Sequence, residues 1–400
     1  MKKNIIILNR LDLSKYYRNK KFIFNKEKYR IFLFSKKERV IENNLNDFDE
    51  VYAFDINDTK KVLDILTILS QYYKFTGVIA FSETDILTAA KIREILKIDG
   101  LNYEDAVRFR NKCIMKDILM SNNKNIKVPK YKKINCINDV LIFYEEYKKI
   151  VLKPINGTGT YKTYIIDNYS KLINIVNEIK DEAYNYEVEE YIEGDLYTCD
   201  SIIVNGEVYF SNVMKYSEST AEIKRTYLYL SMIDDENLLN KINLFNKEVL
   251  ETFGIEQGVF HHEIFVNNQK ELTFCEIAAR PGGGAIVPTI EEIYGINLYE
   301  TVVQFEIEEE LSQIHKSYKK KLGGFIMVYP QTGIISQINE PLDLKKNYVM
   351  KFFNAWIGKK IIKKVYSSDA IATFVSTADN SVDLERKLIE IGERFQIEYS

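Results

Sequence analysis

The sequence predicts an α/β protein that opens on a parallel sheet and continues into mixed α+β lobes. Short apolar runs recur at 3–8 (KNIIIL), 30–34 (RIFLF), 50–54 (EVYAF) and 77–81 (GVIAF). Helical stretches such as 59–73 lie between them. Continuous apolar runs of this length, alternating with helices, are how strands buried on both faces of a parallel sheet read. With 400 residues the chain is also long enough for two or three domains with their own cores.

Helices are expected at 84–97 and 103–120, with Glu104 or Asp105 helping to cap the second. No glycine fingerprint follows the first strand, where Asn9, Arg10 and Leu11 stand. A dinucleotide held in the usual βα turn is therefore not expected. From 126 the pattern changes. Pro129 opens a short strand, a helix covers 137–147, and the strand KIVLKP ends at Pro154. The Gly/Thr loop Ile155 to Thr163 leads into YKTYII, a helix at 169–180 and strands at 186–192 and 197–204. Asn205-Gly206 then predicts a hairpin turn. A helix at 236–253, a hairpin at 258–278, a helix at 289–303 and a final helix near 382–394 complete the chain. In the last part, Phe325, Met327 and Tyr329 alternate like a half-buried strand.

Apolar residues make up 46% and charged residues 28%, with a formal net charge of −3. No basic face is built up, so nucleic acid is not an expected partner, and the run Lys316 to Lys321 reads as a solvated linker. No stretch reaches the length of a membrane helix, and the apolar start Ile5 to Leu8 is too short for a signal peptide. The four cysteines are scattered without a C-x-x-C pair, which suits a reducing cytoplasm.

The segment GVFHHEIFVNNQKELTFCEIAARPGGG is the most informative for chemistry. A two-residue loop at Gln269–Lys270 places Glu263 opposite Glu276 and His261 opposite Ala278. Alternation then puts His261, Glu263, Phe265, Phe274, Glu276, Ala278 and Arg280 on one face. Two facing carboxylates repel and need a compensating charge. A divalent cation is one such charge, and hard oxygen ligands favour Mg²⁺. The glycines after Arg280, including Gly283 and Gly284, offer bare amides to an anion. Lys153 ends an apolar strand, so its stem is buried and its ammonium can face a polyanion. Gly157, Thr158 and Gly159 follow it with amides and a hydroxyl suited to phosphates. Lys112 begins a helix. Glu187 to Gly194 reads as a strand running into an acidic turn; standing alone, it is an edge strand with solvated acids.

In order, the pieces are the helix lysine, V-L-K-P, a Gly loop, E-E-Y-I-x-G, H-x-E, and E-x-x-x-R-P-G-G. That order resembles the ATP-grasp superfamily, and within it the carboxylate–amine ligases such as bacterial L-amino acid ligases and biotin-carboxylase-like enzymes. The resemblance covers roughly residues 75–330. It implies a Rossmann-like pre-grasp domain at 1–105, a small lobe with its linker helix at 106–192, a large lobe with the Mg²⁺ site at 193–320, and a C-terminal lobe at 321–400.

The resemblance also implies ATP as substrate. Lys112 and Lys153 would contact its phosphates, and the loop from 156 to Lys162 would close over them. The hinge Glu190, Tyr191 and Ile192 would hold adenine through the backbone. Asp195 or Asp200, ranked equally, would replace the ribose-binding acid whose expected place falls near Leu196. Glu263 and Glu276 would bind Mg²⁺, Arg280 would steady an acyl phosphate, and Glu83, His261, Gly283 and Gly284 would lie at the substrate. His261 fits a supporting role better than that of a base. Relatives carry Asn where Ala278 stands, so a second Mg²⁺ loses a ligand here. The implied reaction joins a carboxylate and an amine through an acyl phosphate. The alternatives are transfer of the activated acid to a carrier-protein thiol, or ATP binding that only sets a conformation. A homodimer is the commonest assembly for such a soluble enzyme.

Overall fold

The computed structural model describes residues 2–41, 45–307, 321–362 and 369–400. Its first sheet is parallel, in the order β3-β2-β1-β4, formed by β1 (Lys3–Asn9), β2 (Tyr29–Ser35), β3 (Glu50–Ala53) and β4 (Phe75–Ala80). Ile5 to Leu8 are at most 1% exposed, which explains why the first run does not alternate. Ile6, Leu8, Phe32 and Phe34 pack on one face against Val62 and Leu66 of α1 (Thr59–Leu69) and Ala89 and Ile92 of α2 (Ile86–Leu96). Ile5, Ile7, Ile31 and Leu33 point the other way, into a core shared with the large lobe.

The single helix expected at 103–120 is two: α3 (Tyr103–Arg108) and α4 (Lys112–Asn122). The Asn111 side chain accepts from the amides of Cys113 and Ile114, both at 3.1 Å, and so starts a new helix. The cap of α3 is Asn102 rather than Glu104 or Asp105, accepting from the Asp105 amide at 2.9 Å.

The small lobe holds a sheet in the order β5-β8-β6-β7, with β5 (Tyr131–Lys133), β6 (Ile150–Pro154), β7 (Tyr164–Ile166) and β8 (Tyr186–Glu190). Helices α5 (Ile137–Tyr147) and α6 (Tyr169–Ile179) cover it through Val140, Phe143, Leu172 and Ile175. β8 is paired on both sides, so the reading of an edge strand with solvated acids is corrected: Glu187 and Glu189 are 0% and 3% exposed.

The chain enters the large sheet at β9 (Asp195–Val204). Asn205 (φ 52°) and Gly206 (φ 77°) turn it into β10 (Glu207–Tyr216), the left-handed pair that a two-residue hairpin loop requires. β11 (Tyr227–Met232), α7 (Glu236–Thr252), β12 (Gly258–Val266) and β13 (Leu272–Ala278) follow. The helix expected at 289–303 is also split. Gly295 (φ 71°) ends α8 (Ile286–Tyr294), and Asn297 caps α9 (Leu298–Glu306).

The same antiparallel sheet continues through β14 (Leu322–Val328), β15 (Met350–Phe353) and β16 (Ala372–Ala378), in the order β13-β12-β9-β10-β11-β14-β16-β15. The expected boundary at 320 thus divides residues of one sheet, because β14 pairs with both β11 and β16. Phe325, Met327 and Tyr329 are in the core as expected, but the strand is buried on both faces rather than one, because α10 (Ser381–Arg394) packs on Ile326 and Val328 on the other side. Of the basic run 316–321, all but Lys321 lies outside the described residues. No described helix is long and apolar enough to cross a membrane.

Candidate active site

A cleft enclosing ≈ 990 Å³, open solvent at its mouth included, lies between the small and large lobes. Its small-lobe wall is built from β6 and the loop that follows. Lys153 sits at the end of β6, 6% exposed, with its ammonium 2.6 Å from Glu189 and 3.8 Å from Glu187. Lys116, fully buried on α4, closes the cluster at 2.6 Å and 2.7 Å from the same two acids. Burial alone would lower the Lys153 ammonium, but Glu189, aided by Glu187, holds it well above the usual lysine value. Burial would likewise raise Glu189, and Lys116 and Lys153 keep it below the usual carboxylate range.

Lys112 occupies the first turn of α4, where the helix dipole disfavours a cation. Its ammonium is fixed from outside the helix. It donates to the Gly157 carbonyl at 2.9 Å and lies 2.9 Å from Glu276 Oε2. The backbone makes the same link, as the Lys112 amide donates to the Ile155 carbonyl at 3.1 Å. Gly157, Thr158 and Gly159 line the cleft, and Gly159 holds φ 59°, which suits a residue without Cβ. Lys162 does not line it; its ammonium pairs with Glu182. Glu190, Tyr191 and Ile192 line the cleft beside Val151, Ile165 and Leu196. The Glu190 amide is taken by the Lys130 carbonyl at 2.9 Å.

The large-lobe wall carries the paired carboxylates. Glu263 does lie opposite Glu276, and His261 opposite Ala278, but not through the expected two-residue loop. Val266 pairs with Leu272, so the turn spans Asn267 to Glu271, with Lys270 at φ 59°. That offsets the register by one residue, and a bulge at Cys275 restores it before Glu276. The bulge also changes the face. Phe274 is directed into the core with Ile264 and His262, whereas Cys275 lines the cleft with Glu263, Phe265 and Glu276.

Glu263 and Glu276 side chains are 14% and 25% exposed. The Tyr216 hydroxyl donates to Glu263 at 2.9 Å. Burial would raise Glu276, but Lys112, with Lys153 and Arg280, holds it at about 2. Two carboxylates on adjacent strands, opening on one cleft, are a donor set that fits Mg²⁺. Among the described residues no third His, Cys, Asp or Glu joins them into a cage. Ala278 supplies no donor, so further ligands would come from water or phosphate.

His261 stands behind this pair rather than in the cleft. Its Nδ1 is 2.9 Å from Asp200 and its Nε2 3.6 Å from Glu263. Burial would lower it, but Asp200, then Glu263, raises it to about 10. Asp200 is 0% exposed and engaged with His261 and Thr198, which separates the two ribose candidates: Asp195 lines the cleft and Asp200 does not. Asp195 is paired with Lys215 at 2.7 Å. Gly282 makes this packing feasible, because a Cβ there would meet Asp200 Oδ1 at 2.5 Å. Gly283 faces open space, and a Cβ on Gly284 (φ 59°) would meet Phe325 at 2.9 Å.

Glu83 is 5% exposed and clamped between two guanidinium groups, so it is buried beneath the site rather than facing a pocket. Arg280 binds it at 2.6 Å, Arg110 pairs with its other oxygen, and Arg110 also donates to the Asn156 carbonyl at 2.5 Å. Burial would raise Glu83, and Arg280 and Arg110 lower it. Arg110, Lys116, Tyr216 and Cys275 were not among the expected site residues. Lys116 carried a signal, one helical turn after Lys112 on the same face. Cys275 carried none, because a bulge leaves no mark in alternation.

Residues 147–289 match the family model described as the ATP-grasp domain. An L-arginine-specific L-amino acid ligase from Bacillus subtilis is 27% identical over 271 residues, 65% of this chain and 64% of that protein. An alanine–anticapsin ligase from Bacillus subtilis (strain 168) is 22% identical over 309 residues, 69% of this chain and 64% of that one. The matched region thus spans under two thirds of either relative's length. The crystal structure of an L-amino acid ligase from Bacillus licheniformis superposes with a TM-score of 0.83 at 19% identity, covering 100% of this chain and 99% of that one. The chain carries an ATP-grasp domain in an ATP-grasp fold and is homologous to L-amino acid ligases.

Proposed function

We propose that the chain is an ATP-dependent carboxylate–amine ligase that joins amino acids through an acyl phosphate, releasing ADP and phosphate. One observation carries this reading. Lys112, Lys153, the Gly157–Gly159 loop and the Glu263/Glu276 pair line a single cleft, with Arg280 behind Glu276. Relatives named as arginine-specific and alanine–anticapsin ligases support amino acids as both substrates.

In this reading Lys153 and Lys112 bind phosphate oxygens, each already oriented by an acid. Glu263 and Glu276 would hold Mg²⁺, which would supply positive charge against the negative charge of the phosphates. Arg280, aimed by Glu83, offers a planar fork to the substrate carboxylate and then to the acyl phosphate. The carboxylate oxygen attacks the γ-phosphorus and ADP leaves; the amine nitrogen then attacks the acyl carbon and phosphate leaves. The glycine loop excludes water, since a hydrolysed acyl phosphate is a lost turnover. Asp195, which lines the cleft, is assigned to the ribose, and the Glu190 carbonyl with the Ile192 backbone to adenine. We place the protein in the cytoplasm, working on free small molecules as a monomer or homodimer.

The test is a phosphate-release screen over pairs of amino acids with ATP and Mg²⁺. Release of ADP that rises with an acid, and rises further with acid plus amine, is the expected result. ATP hydrolysis indifferent to every amino acid would overturn the reading.

A further inference from the structure

Lys153 faces the cleft from the end of β6, with two acids behind its one ammonium. Glu187 on β8 is its register partner, and Glu189 follows two residues on, on the same face of the strand. Both acids are sealed, 0% and 3% exposed. With Lys153 alone to meet them, one carboxylate would stand uncompensated behind the ammonium that, in the ligase reading, holds phosphate. Solvent screens such a buried charge little, so it would repel a bound phosphate.

Lys116 meets the second acid. It is 0% exposed on α4, and neither it nor Glu187 lines the cleft, so no direct contact with a nucleotide there is open to either. It donates to Glu187 Oε1 at 2.6 Å. It also lies 2.7 Å from Glu189 Oε2, an ion pair without the alignment of a hydrogen bond. The other Glu187 oxygen accepts from the Cys113 thiol, a neutral donor, at 3.1 Å. Among the described residues, Lys116 and Lys153 are the cations at ion-pair distance from these acids, one ammonium for each carboxylate.

A tether joining α4 to β8 would need only the hydrogen bond to Glu187. The unaligned approach to Glu189, the acid 2.6 Å from Lys153, is the contact that a charge role needs.

We propose that Lys116 sets the strength of nucleotide binding without touching the nucleotide. By cancelling one of the two carboxylates behind Lys153, it leaves the Lys153 ammonium free to act on phosphate. The proposal rests on the reading that Lys153 meets a nucleotide phosphate. Calorimetry with Mg²⁺ compares ADP with adenosine, which lacks the phosphates. Lys116→Met weakens ADP about tenfold or more and leaves adenosine within about threefold. The double variant Lys116→Met/Glu187→Gln, again with one ammonium and one carboxylate, recovers ADP affinity to within about threefold of wild type. Glu187→Gln alone shifts the charge the other way and tightens ADP about threefold or more. Removing a buried ion-pair partner can unfold a protein, and if Lys116→Met does not fold, Glu187→Gln decides the matter.

Unchanged ADP affinity in Lys116→Met overturns the proposal. So does an equal loss for ADP and adenosine, or a double variant that binds ADP as weakly as Lys116→Met, since either would mark displacement of α4 rather than charge. ADP affinity that stays level or falls in Glu187→Gln overturns it as well. A wild-type protein that binds no ADP would overturn the nucleotide reading together with the proposal, whereas the variant results above bear on the proposal alone.

Discussion

Glu187 and Glu189 on β8, and Glu263 and Glu276 on β12 and β13, are two carboxylate pairs on opposite lobes of one cleft. The first pair is sealed in. Its acids are 0% and 3% exposed, and two buried lysines, Lys116 and Lys153, neutralise them inside the fold. The second pair is partly open, 14% and 25% exposed, and among the described residues only Lys112 reaches it at ion-pair distance besides His261 behind it. The difference separates two uses of the same side chain. Acids compensated within the sheet hold a lysine in position, whereas acids left facing the cleft keep capacity for an incoming cation.

The largest effect should come from breaking the sealed pair. Lys116→Ala leaves two buried carboxylates with one lysine, and should destabilise the protein by about 3–5 kcal/mol in denaturant unfolding. A change under about 1 kcal/mol would show that the cluster is not the electrostatic unit described. The open pair should respond in the opposite way. Glu276→Gln should lower ADP formation by about 10²–10³-fold while the unfolding midpoint moves little. If the stability falls instead and activity persists, the pair is structural.

A third carboxylate sharpens the contrast at the smallest scale. Asp139 caps α5, accepting from the amides of Asn135 and Cys136 and pairing with Lys132 at 2.6 Å. The Lys132 hydrogen bond, then the two amides, lowers it to about 2 from 3.8. A depressed acid stabilises the fold above its unfolded value and loses that contribution as pH falls through the folded one. Wild type should therefore lose about 1 kcal/mol relative to Asp139→Asn between pH 3.8 and about 2. Parallel stability curves for the two proteins would remove the cap from the account.

Much of this was legible in the sequence because it rests on local patterns. The four apolar runs gave the parallel sheet, and Asn205-Gly206 its hairpin. The pairing of Glu263 with Glu276 was also readable, though through two errors that cancel: the turn is longer than expected and the Cys275 bulge restores the register. What escaped depends on distant partners. Glu83 looked like a pocket residue until Arg110 and Arg280, 27 and 197 residues away, enclosed it. Asp200 and Asp195 differ only in which side of β9 they take, and burial against His261 decides between them. Helix breaks at Asn111 and Asn297 were hidden within periodic apolar stretches, since a capping asparagine inside such a run does not disturb the period.

The central claim is that the cleft transfers the γ-phosphoryl group to a substrate carboxylate. It is tested most directly by supplying an amino acid labelled with heavy oxygen in its carboxylate, together with ATP, Mg²⁺ and an acceptor amino acid. The account predicts that one labelled oxygen appears in the released phosphate, alongside ADP and an amide product. Unlabelled phosphate, or release of AMP and pyrophosphate, would contradict it.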